Sequence, residues 1–274
     1  MSIFMIGVFD SGVGGLSVVK EILKNISNRQ IIYFGDTARL PYGTKGVDFV
    51  KKYSEKITQW LLDRGVKIII IACHTSSALS GDYLKKQFQN VPIFDMITPT
   101  AEKISAFGFG RIGIIGTPGT IKSKAWENHL LKLNPRLEIY SLACPLLVPL
   151  VEQGWVDKKA TKEIVKEYLS CFKDKKIEGL VLACTHYPML EKVIKKVVGK
   201  KVKIINPAEI LAKEVGKFLK ENLEADYLPS SAKVTDGFQG NGYQIFFSDE
   251  PYNFKKISRM CFNKKIKPTI LDPF

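Results

Sequence analysis

The sequence lacks the features that mark several whole classes of protein. It has no apolar run near the roughly 20 residues that a membrane-spanning helix needs. The five cysteines form no C-x-x-C pair and the three histidines, His74, His129 and His186, are far apart, so no metal site is expected. An odd number of cysteines favours free thiols over a disulfide framework. The first residues, MSIFMIGVFDSG, have no basic segment before the apolar one, so we expect no secretory signal and a cytoplasmic protein.

Acidic residues are scarce compared with basic ones. The 274 residues include 41 Lys and Arg but only 27 Asp and Glu, which gives a formal net charge of +14. Such a charge can indicate a nucleic-acid partner. The lysines are spread over the predicted helices rather than gathered in one stripe, and no recognisable nucleic-acid-binding motif accompanies them. We therefore expect a lysine-rich surface, with nucleic acid unlikely as the main partner.

Short apolar runs alternate with helical patterns along most of the chain, which predicts an α/β fold with parallel sheets covered by helices. The run Lys67–Ala72 is apolar after its first residue, as expected of a strand buried on both faces. Strands are predicted at 3–9, 31–34, 67–72, 92–94, 111–115, 137–142, 179–183, 202–205 and 243–247. Helices are predicted at 16–26, 50–61, 78–88, 121–133, 158–172, 189–198, 208–223 and 253–262.

An internal repeat divides the chain. The segments IIIIACHT (68–75) and GLVLACTH (179–186) both read as buried strands that end in Ala-Cys, followed by a Thr and His pair. The two Ala-Cys pairs lie 111 residues apart. Upstream, the similar segments Ile6–Val8 and Ile112–Ile114 lie about 106 residues apart. Two landmarks at similar offsets predict two related α/β halves rather than one large sheet.

Unusual polar residues follow the predicted strands, at the ends where ligands bind in parallel α/β sheets. They are Asp10-Ser11 with a glycine turn, Asp36–Gly43, Cys73-His74-Thr75, Thr117 and Cys184-Thr185-His186. The glycine turn, Gly12–Gly15, opens a predicted helix and suits a small carboxylate at the positive helix end. It fits neither the dinucleotide nor the P-loop motif, and a tight turn with no ligand is the alternative. If the halves face each other, the two cysteines approach one cleft.

The two matched cysteines indicate proton transfer. A lone cysteine after an apolar strand is usually a small buried side chain, which is our interpretation of Cys144, Cys171 and Cys261. Cys73 and Cys184 differ because hydroxyl and imidazole groups follow each of them. A single activated cysteine would indicate a nucleophile. Two cysteines that face one substrate can remove a proton from a carbon and deliver one to the opposite face, which is racemisation without a cofactor. Neighbours that can tune such thiols are Asp10, His186 and Glu152.

Six ordered motifs carry a resemblance to a known family. They are DSGVGGLSV (10–18), YFGDTARLPYGTK (33–45), ACHT (72–75), IGTPGTIKS (115–123), LACPLLVPLVEQG (142–154) and LACTHYP (182–188). They resemble the motifs of glutamate racemases, in the cofactor-independent aspartate/glutamate racemase family. The resemblance implies interconversion of L- and D-glutamate, supply of D-glutamate for peptidoglycan synthesis, and a homodimer. It also implies two pseudosymmetric domains with the active site in the cleft between them, one at 1–97 with about 207–274 and one at about 98–206.

The resemblance implies roles for individual residues. Cys184 would take the α-proton from L-glutamate and Cys73 would take it from D-glutamate. Asp10 would assist Cys73, and His186 would assist Cys184 with Glu152 nearby. The implied substrate-binding residues are Asp10, Ser11, Pro41, Tyr42, Gly43, His74, Thr75, Thr117, Thr185 and His186. His74 departs from the family pattern, which has Asn there, so either a larger ring crowds the substrate or an imidazolium favours the Cys73 thiolate.

Several alternatives stay open at the level of sequence. The protein could be a racemase of another amino acid such as aspartate, or a weakly active family member with a regulatory role. A lyase or isomerase that uses one cysteine is a further possibility, although the retained pair of cysteines argues against it. His186 has a structural histidine as its alternative, and Glu152 a place at the end of a helix.

Overall fold

Two parallel β-sheets form the framework of the protein. The computed structural model describes residues 4–26, 29–223, 242–262 and 266–274. The first sheet contains β1 (Met5–Asp10), β2 (Gln30–Gly35), β3 (Val66–Ile71), β4 (Ile93–Asp95), β9 (Tyr243–Phe247) and β10 (Thr269–Ile270). The second contains β5 (Arg111–Gly116), β6 (Glu138–Ala143), β7 (Gly179–Ala183) and β8 (Lys203–Ile205). Every described strand pair is parallel, as the alternating pattern predicts.

Helices connect the strands and cover the sheets. They are α1 (Leu16–Asn25), α2 (Val47–Leu62), α3 (His74–Gln87), α4 (Thr98–Ser105), α5 (Pro118–Lys122), α6 (Ala125–Leu133), α7 (Leu147–Glu152), α8 (Lys159–Leu169), α9 (Glu191–Val198), α10 (Pro207–Leu223) and α11 (Phe254–Phe262). Short 3₁₀ turns lie at Thr37–Arg39, Tyr42–Thr44, Ser170–Phe172 and Tyr187–Leu190. In the part of the chain that the structure describes, no helix combines the length and the apolar character needed to cross a membrane.

The two sheets repeat one strand order. Neighbouring strands run β10-β9-β2-β1-β3-β4 in the first sheet and β6-β5-β7-β8 in the second. Strands β1 and β5 therefore occupy equivalent places, as do β3 and β7, which confirms the two related halves that the sequence repeat predicts. Strands β9 and β10 extend the first sheet, so the chain returns to it after the second. The residue boundaries of the two domains stay a prediction.

The central strand β3 shows why the sheet is buried on both faces. Ile68 and Ile70 pack with apolar side chains of α1 and α10, whereas Ile69 and Ile71 point to the other face and pack with those of α2. Successive side chains of a strand point to opposite faces, so a continuous apolar run supplies two cores at once. The second sheet likewise has one core on each face.

Some predicted boundaries are wrong. The helix predicted at 78–88 begins at His74, because the Cys73 sulfur accepts a hydrogen bond from the Ser76 backbone N–H at 3.4 Å and caps the helix earlier. The helix predicted at 121–133 is two helices, α5 and α6, separated at Lys124, which has a positive φ of 59°. Helices α4 and α7 were not predicted, because segments of eight and six residues carry little periodicity.

Candidate active site

The carboxyl ends of strands from both sheets meet at one small cavity of about 40 Å³. Its lining residues are Ser11, Leu40, Pro41, Tyr42, Gly43, Cys73, His74, Thr75, Thr117, Val148, Cys184, Thr185 and His186. All of the residues predicted for the site line this cavity except Asp10 and Glu152. Those two bond to lining residues, Asp10 to Thr185 and Glu152 to His186. The apolar lining residues Leu40 and Val148 were not among the residues predicted for the site, although both lie within the family motifs.

Size alone does not identify the site. A larger groove of about 1140 Å³ lies beside α11, but none of the described residues that line it is a cysteine or a histidine. The small cavity is the place where two thiols from different sheets converge, and it holds most of the hydroxyl groups that the sequence singled out. We therefore assign the candidate active site by its chemistry.

Cys184 stands at the end of a hydrogen-bonded relay. Its sulfur lies 3.8 Å from Nδ1 of His186, and Nε2 of His186 lies 3.1 Å from Oε1 of Glu152. Burial alone lowers the pKa of His186, but its hydrogen bonds to Cys184 and Glu152 and their negative charges outweigh burial and raise that pKa to about 10. The raised pKa favours the imidazolium form of His186, whose positive charge lies beside the Cys184 sulfur. Glu152 lies at the end of α7, as one of the sequence alternatives has it, and it also contacts the site.

Cys73 has different surroundings. Its sulfur lies 3.7 Å from Oγ of Ser11 and accepts the Ser76 backbone N–H. Burial, and then the negative charge of Asp10, raise the pKa of the Cys73 thiol to about 11. The Cys73 thiol is thus neutral near pH 7, in contrast to the cation beside Cys184.

Asp10 connects the two halves. Its carboxylate accepts hydrogen bonds from the Gly12 backbone N–H at 2.9 Å and from the Thr185 hydroxyl at 3.3 Å. Burial raises the pKa of Asp10, and the nearby charge of His186 acts against that rise. The glycine turn approaches the second half closely, because a Cβ added at Gly14 would lie 2.3 Å from Oγ1 of Thr185. Close packing thus explains this glycine, and the binding of a carboxylate by the turn stays a prediction.

The turn that carries Tyr42 and Gly43 is held by a hydrogen bond to the buried carboxylate of Asp36. The Tyr42 hydroxyl donates to Oδ2 of Asp36 at 2.7 Å, and the buried carboxylate of Asp36 also accepts Arg39 at 2.8 Å and Ser248 at 2.7 Å. Gly43 lies against the second half, because a Cβ added there would be 2.6 Å from Cβ of Thr117. Asp36 was part of a strand-end segment in the sequence, but its role behind Tyr42 could be seen only in the structure.

Three hydroxyls form a ring between the two sheets. Thr75, at the start of α3, lies 2.9 Å from Thr117 and 3.1 Å from Thr120, measured between Oγ1 atoms, and the other two lie 2.9 Å apart. Thr117 caps the start of α5, and Thr120 lies within that helix. The ring therefore connects elements that follow β3 and β5. Sequence reasoning missed Thr120, although its place one helical turn after Thr117 was a usable signal.

His74 is a buried neutral ring. It is 3% exposed and stacks on Trp126 of α6, with 5.9 Å between ring centroids and 24° between planes. Among the described residues its Nδ1 atom has no hydrogen-bond partner. Burial lowers the pKa of His74 to about 3, although the charge of Asp95 acts against that fall. The neutral ring favours crowding of the substrate over an imidazolium effect on Cys73.

The described residues contain no group of three or more His, Cys, Asp or Glu side chains placed to hold a metal ion.

Comparison with known proteins places the chain in a family. Residues 6–215 match the Asp/Glu/Hydantoin racemase family. Glutamate racemases from Geobacter metallireducens and Aquifex pyrophilus are 40% and 43% identical; the alignments cover 95% and 94% of this chain and 93% and 94% of theirs. The structure of Francisella tularensis glutamate racemase in complex with D-glutamate is similar, with a TM-score of 0.88, 35% identity, and coverage of 98% of this chain and 97% of that one. Aspartate racemase from Picrophilus torridus, at 19% identity, shares the fold. On this evidence the chain belongs to the Asp/Glu/hydantoin racemase family.

Proposed function

We propose that the protein is a glutamate racemase that moves the α-proton of glutamate between Cys73 and Cys184. The observation that carries this proposal is the convergence of two thiols from different sheets at one cavity. Inversion of a carbon centre needs a proton removed from one face and another delivered to the opposite face. Two thiols that reach the cavity from two sheets suit this requirement, whereas a lyase or isomerase that uses one cysteine needs only one.

The relatives support glutamate as the substrate. Proteins called glutamate racemase are about 40% identical over nearly the whole chain, and one similar structure holds D-glutamate. The aspartate racemase that shares the fold is only 19% identical. Glutamate is therefore the first substrate to test, and aspartate is the comparison.

The surroundings of the thiols support a sequence of proton steps. With L-glutamate, the thiolate of Cys184 takes the proton of the α-carbon, and its electron pair stays on that carbon. The Cys73 thiol then gives its proton to the opposite face, which forms D-glutamate. The protein is left with a Cys184 thiol and a Cys73 thiolate, the pair that removes the α-proton from D-glutamate. The His186 cation supports charge on Cys184, whereas Asp10 and Ser11 act beside Cys73.

Hydroxyl and main-chain groups around the thiols are suited to the charged ends of glutamate. We assign substrate binding to Ser11, Thr75, Thr117 and Thr185 and to the turn Pro41–Gly43, with Asp10, His74 and His186 beside them. A cavity of about 40 Å³ holds on the order of three water molecules, which is too little for glutamate. We therefore infer that glutamate binding widens this cavity.

The cellular setting follows from the activity. A glutamate racemase supplies D-glutamate for peptidoglycan synthesis, so we propose a cytoplasmic enzyme that works without a cofactor. We also propose a homodimer, which sedimentation at several protein concentrations tests directly. The net charge of +14 has no part in the proposed reaction.

Exchange of the α-hydrogen with solvent tests the proposed function. Purified protein is incubated with L- or D-glutamate in heavy water, with EDTA and a carbonyl-trapping reagent present. We expect deuterium at the α-carbon and decay of the optical signal towards zero under these conditions, with aspartate reacting much more slowly. Absence of labelling from glutamate would contradict the proposal, and loss of labelling only with the additives would contradict the cofactor-independent mechanism.

A further inference from the structure

The end of α7 is held by a residue from the opposite half of the molecule. Glu152 is the last residue of α7, and the last carbonyls of a helix have no partner within it. The Glu152 carbonyl accepts a hydrogen bond from Nδ2 of Asn253 at 3.1 Å. Asn253 follows β9 of the first sheet, whereas α7 follows β6 of the second. The bond therefore spans the two halves at the back of the relay.

Two residues near this bond, Asn253 and Gly154, have positive φ angles. Asn253 has a positive φ of 54°, which asparagine tolerates better than most residues. Its carbonyl accepts the backbone N–H groups of Lys256 and Ile257, so it begins α11. Gly154 also has a positive φ, of 66°, and a Cβ there would lie 2.1 Å from Cε of Lys256. The Gly154 backbone therefore lies beside the Lys256 side chain, and Asn253, a non-glycine residue in the left-handed region, makes the contact with Glu152.

We propose that Asn253 is a positioning residue for the Cys184 half of the reaction, because its amide fixes the end of α7 and thereby holds Glu152 against His186. Three contacts in series carry the proposal: Asn253 to the Glu152 carbonyl, the Glu152 carboxylate to His186 at 3.1 Å, and His186 to Cys184 at 3.8 Å. No described contact connects Asn253 with Cys73. The kinetic effect expected of Asn253 rests on the proposed function.

The expected effect falls on one proton step. Because the two enantiomers have equal free energies in solution, kcat/KM must be the same in both directions whichever residue is changed. Direction is instead visible in the isotope effect, which grows when the step that breaks the labelled bond becomes slower relative to the others. A weaker Cys184 relay should raise the isotope effect for α-deuterated L-glutamate and leave that for α-deuterated D-glutamate no larger than in the unchanged protein.

The principal variant is Asn253→Gly, which keeps the left-handed backbone accessible and removes the side chain that carries the amide. Asn253→Asp is the second variant, since it keeps side-chain size and replaces the donor by an acceptor. The matched control is Asn222→Ala, which removes an amide-to-carbonyl bond of 2.9 Å at an exposed position on α10. We expect a threefold to tenfold fall in kcat/KM for both Asn253 variants, about the size of one hydrogen bond. The control should leave kcat/KM unchanged.

A second measurement does not depend on turnover. The chain has three histidines, so NMR of ¹⁵N-labelled imidazoles follows the titration of His186 separately. The charged and titratable groups known to face His186 are Cys184, Glu152 and Asp10. Displacement of Glu152 should lower the pKa of His186 in both Asn253 variants but not in Asn222→Ala. If the unchanged protein does not label glutamate, the proposed function fails, while this titration still decides the role of Asn253.

The inference is supported by an isotope effect that rises for L-glutamate alone together with a lower His186 titration. A His186 titration that stays in place in both Asn253 variants overturns it. Isotope effects that rise equally for the two enantiomers also overturn it, because a general loosening of the fold would act on both thiols.

Discussion

The two cysteines follow equivalent strands, yet their surroundings are electrically different. Beside Cys184, the hydrogen bonds and charges of Cys184 and Glu152 outweigh burial and raise the pKa of His186 to about 10, so a cation faces the sulfur. Beside Cys73, burial and the charge of Asp10 raise the pKa of the thiol to about 11, so its proton is retained. The two sheets therefore share a strand order, but the cysteines that follow their equivalent strands have different electrostatic surroundings. The surroundings favour a protonated Cys73 and a cation next to Cys184, and under the proposed proton steps this arrangement suits L-glutamate as the first substrate.

Exchange of either sulfur for oxygen should produce the largest effect. Serine is a much weaker acid than cysteine, so Cys73→Ser and Cys184→Ser should each lower racemisation by about 10²–10⁴-fold. Elimination from a β-substituted glutamate needs only one base and separates the halves. We expect Cys184→Ser to lose elimination mainly from the L-type isomer and Cys73→Ser mainly from the D-type isomer. Normal racemisation in both variants would show that the two-base assignment is wrong.

Substitution of the two assisting residues, His186 and Asp10, should change the isotope effects for opposite enantiomers. His186→Asn removes the cation beside Cys184, and we expect about a 100-fold loss of kcat/KM with a larger isotope effect for α-deuterated L-glutamate. Asp10→Asn is the matched change on the other side, and it should enlarge the isotope effect for α-deuterated D-glutamate. If the two variants changed the isotope effects in the same way, neither residue would act on one thiol alone.

The residues after the two cysteines, His74 and Thr185, also differ. The difference should appear as a loss of unfolding free energy at acidic pH, because only His74 titrates there. The pKa of His74 is about 3 in the folded protein against about 6.5 when unfolded. Between these values the unfolded chain binds the extra proton, so the contribution of His74 to stability is present above pH 6.5 and is lost as pH falls. Relative to His74→Asn, the protein should lose about 2 kcal/mol of unfolding free energy from pH 7 to pH 5. Urea denaturation at both pH values checks this, and parallel losses would contradict the neutral buried ring.

His74→Asn should also change activity, by a smaller factor than the changes at Cys73, Cys184 and His186. The ring lines a cavity of about 40 Å³, so a smaller amide leaves more room for glutamate. We expect kcat/KM to rise about tenfold, the effect of roughly one good hydrogen bond or a relieved contact. Because His74 is neutral, the rise should be the same from pH 6 to pH 9. Lower activity of the variant, most of all at low pH, would instead support an imidazolium beside Cys73.

Much of the fold follows from the sequence because its signals are local. The run Lys67–Ala72 is apolar enough to define a buried strand, and the repeated Ala-Cys motif places both thiols at equivalent strand ends. The family motifs indicated most of the residues that line the cavity. What they indicate about the role of each residue stays a prediction.

The remainder depends on contacts between residues that are distant in the chain. Helix α7 is six residues long, so its periodicity is too weak to be read, although it carries Glu152. Asn253 reaches Glu152 across 101 positions, and no local pattern records that contact. Thr120 is closer to a readable signal, but its bond to Thr75 depends on how the two sheets face each other.

The small cavity has a consequence for what happens between one turnover and the next. In the proposed proton steps, the proton taken from L-glutamate is on the Cys184 sulfur when D-glutamate leaves, and a cavity for about three water molecules holds few partners for its exchange. The proposed steps therefore imply two protonation isomers of the free enzyme, each of which can react with only one enantiomer. Their interconversion by solvent protons is a step of its own.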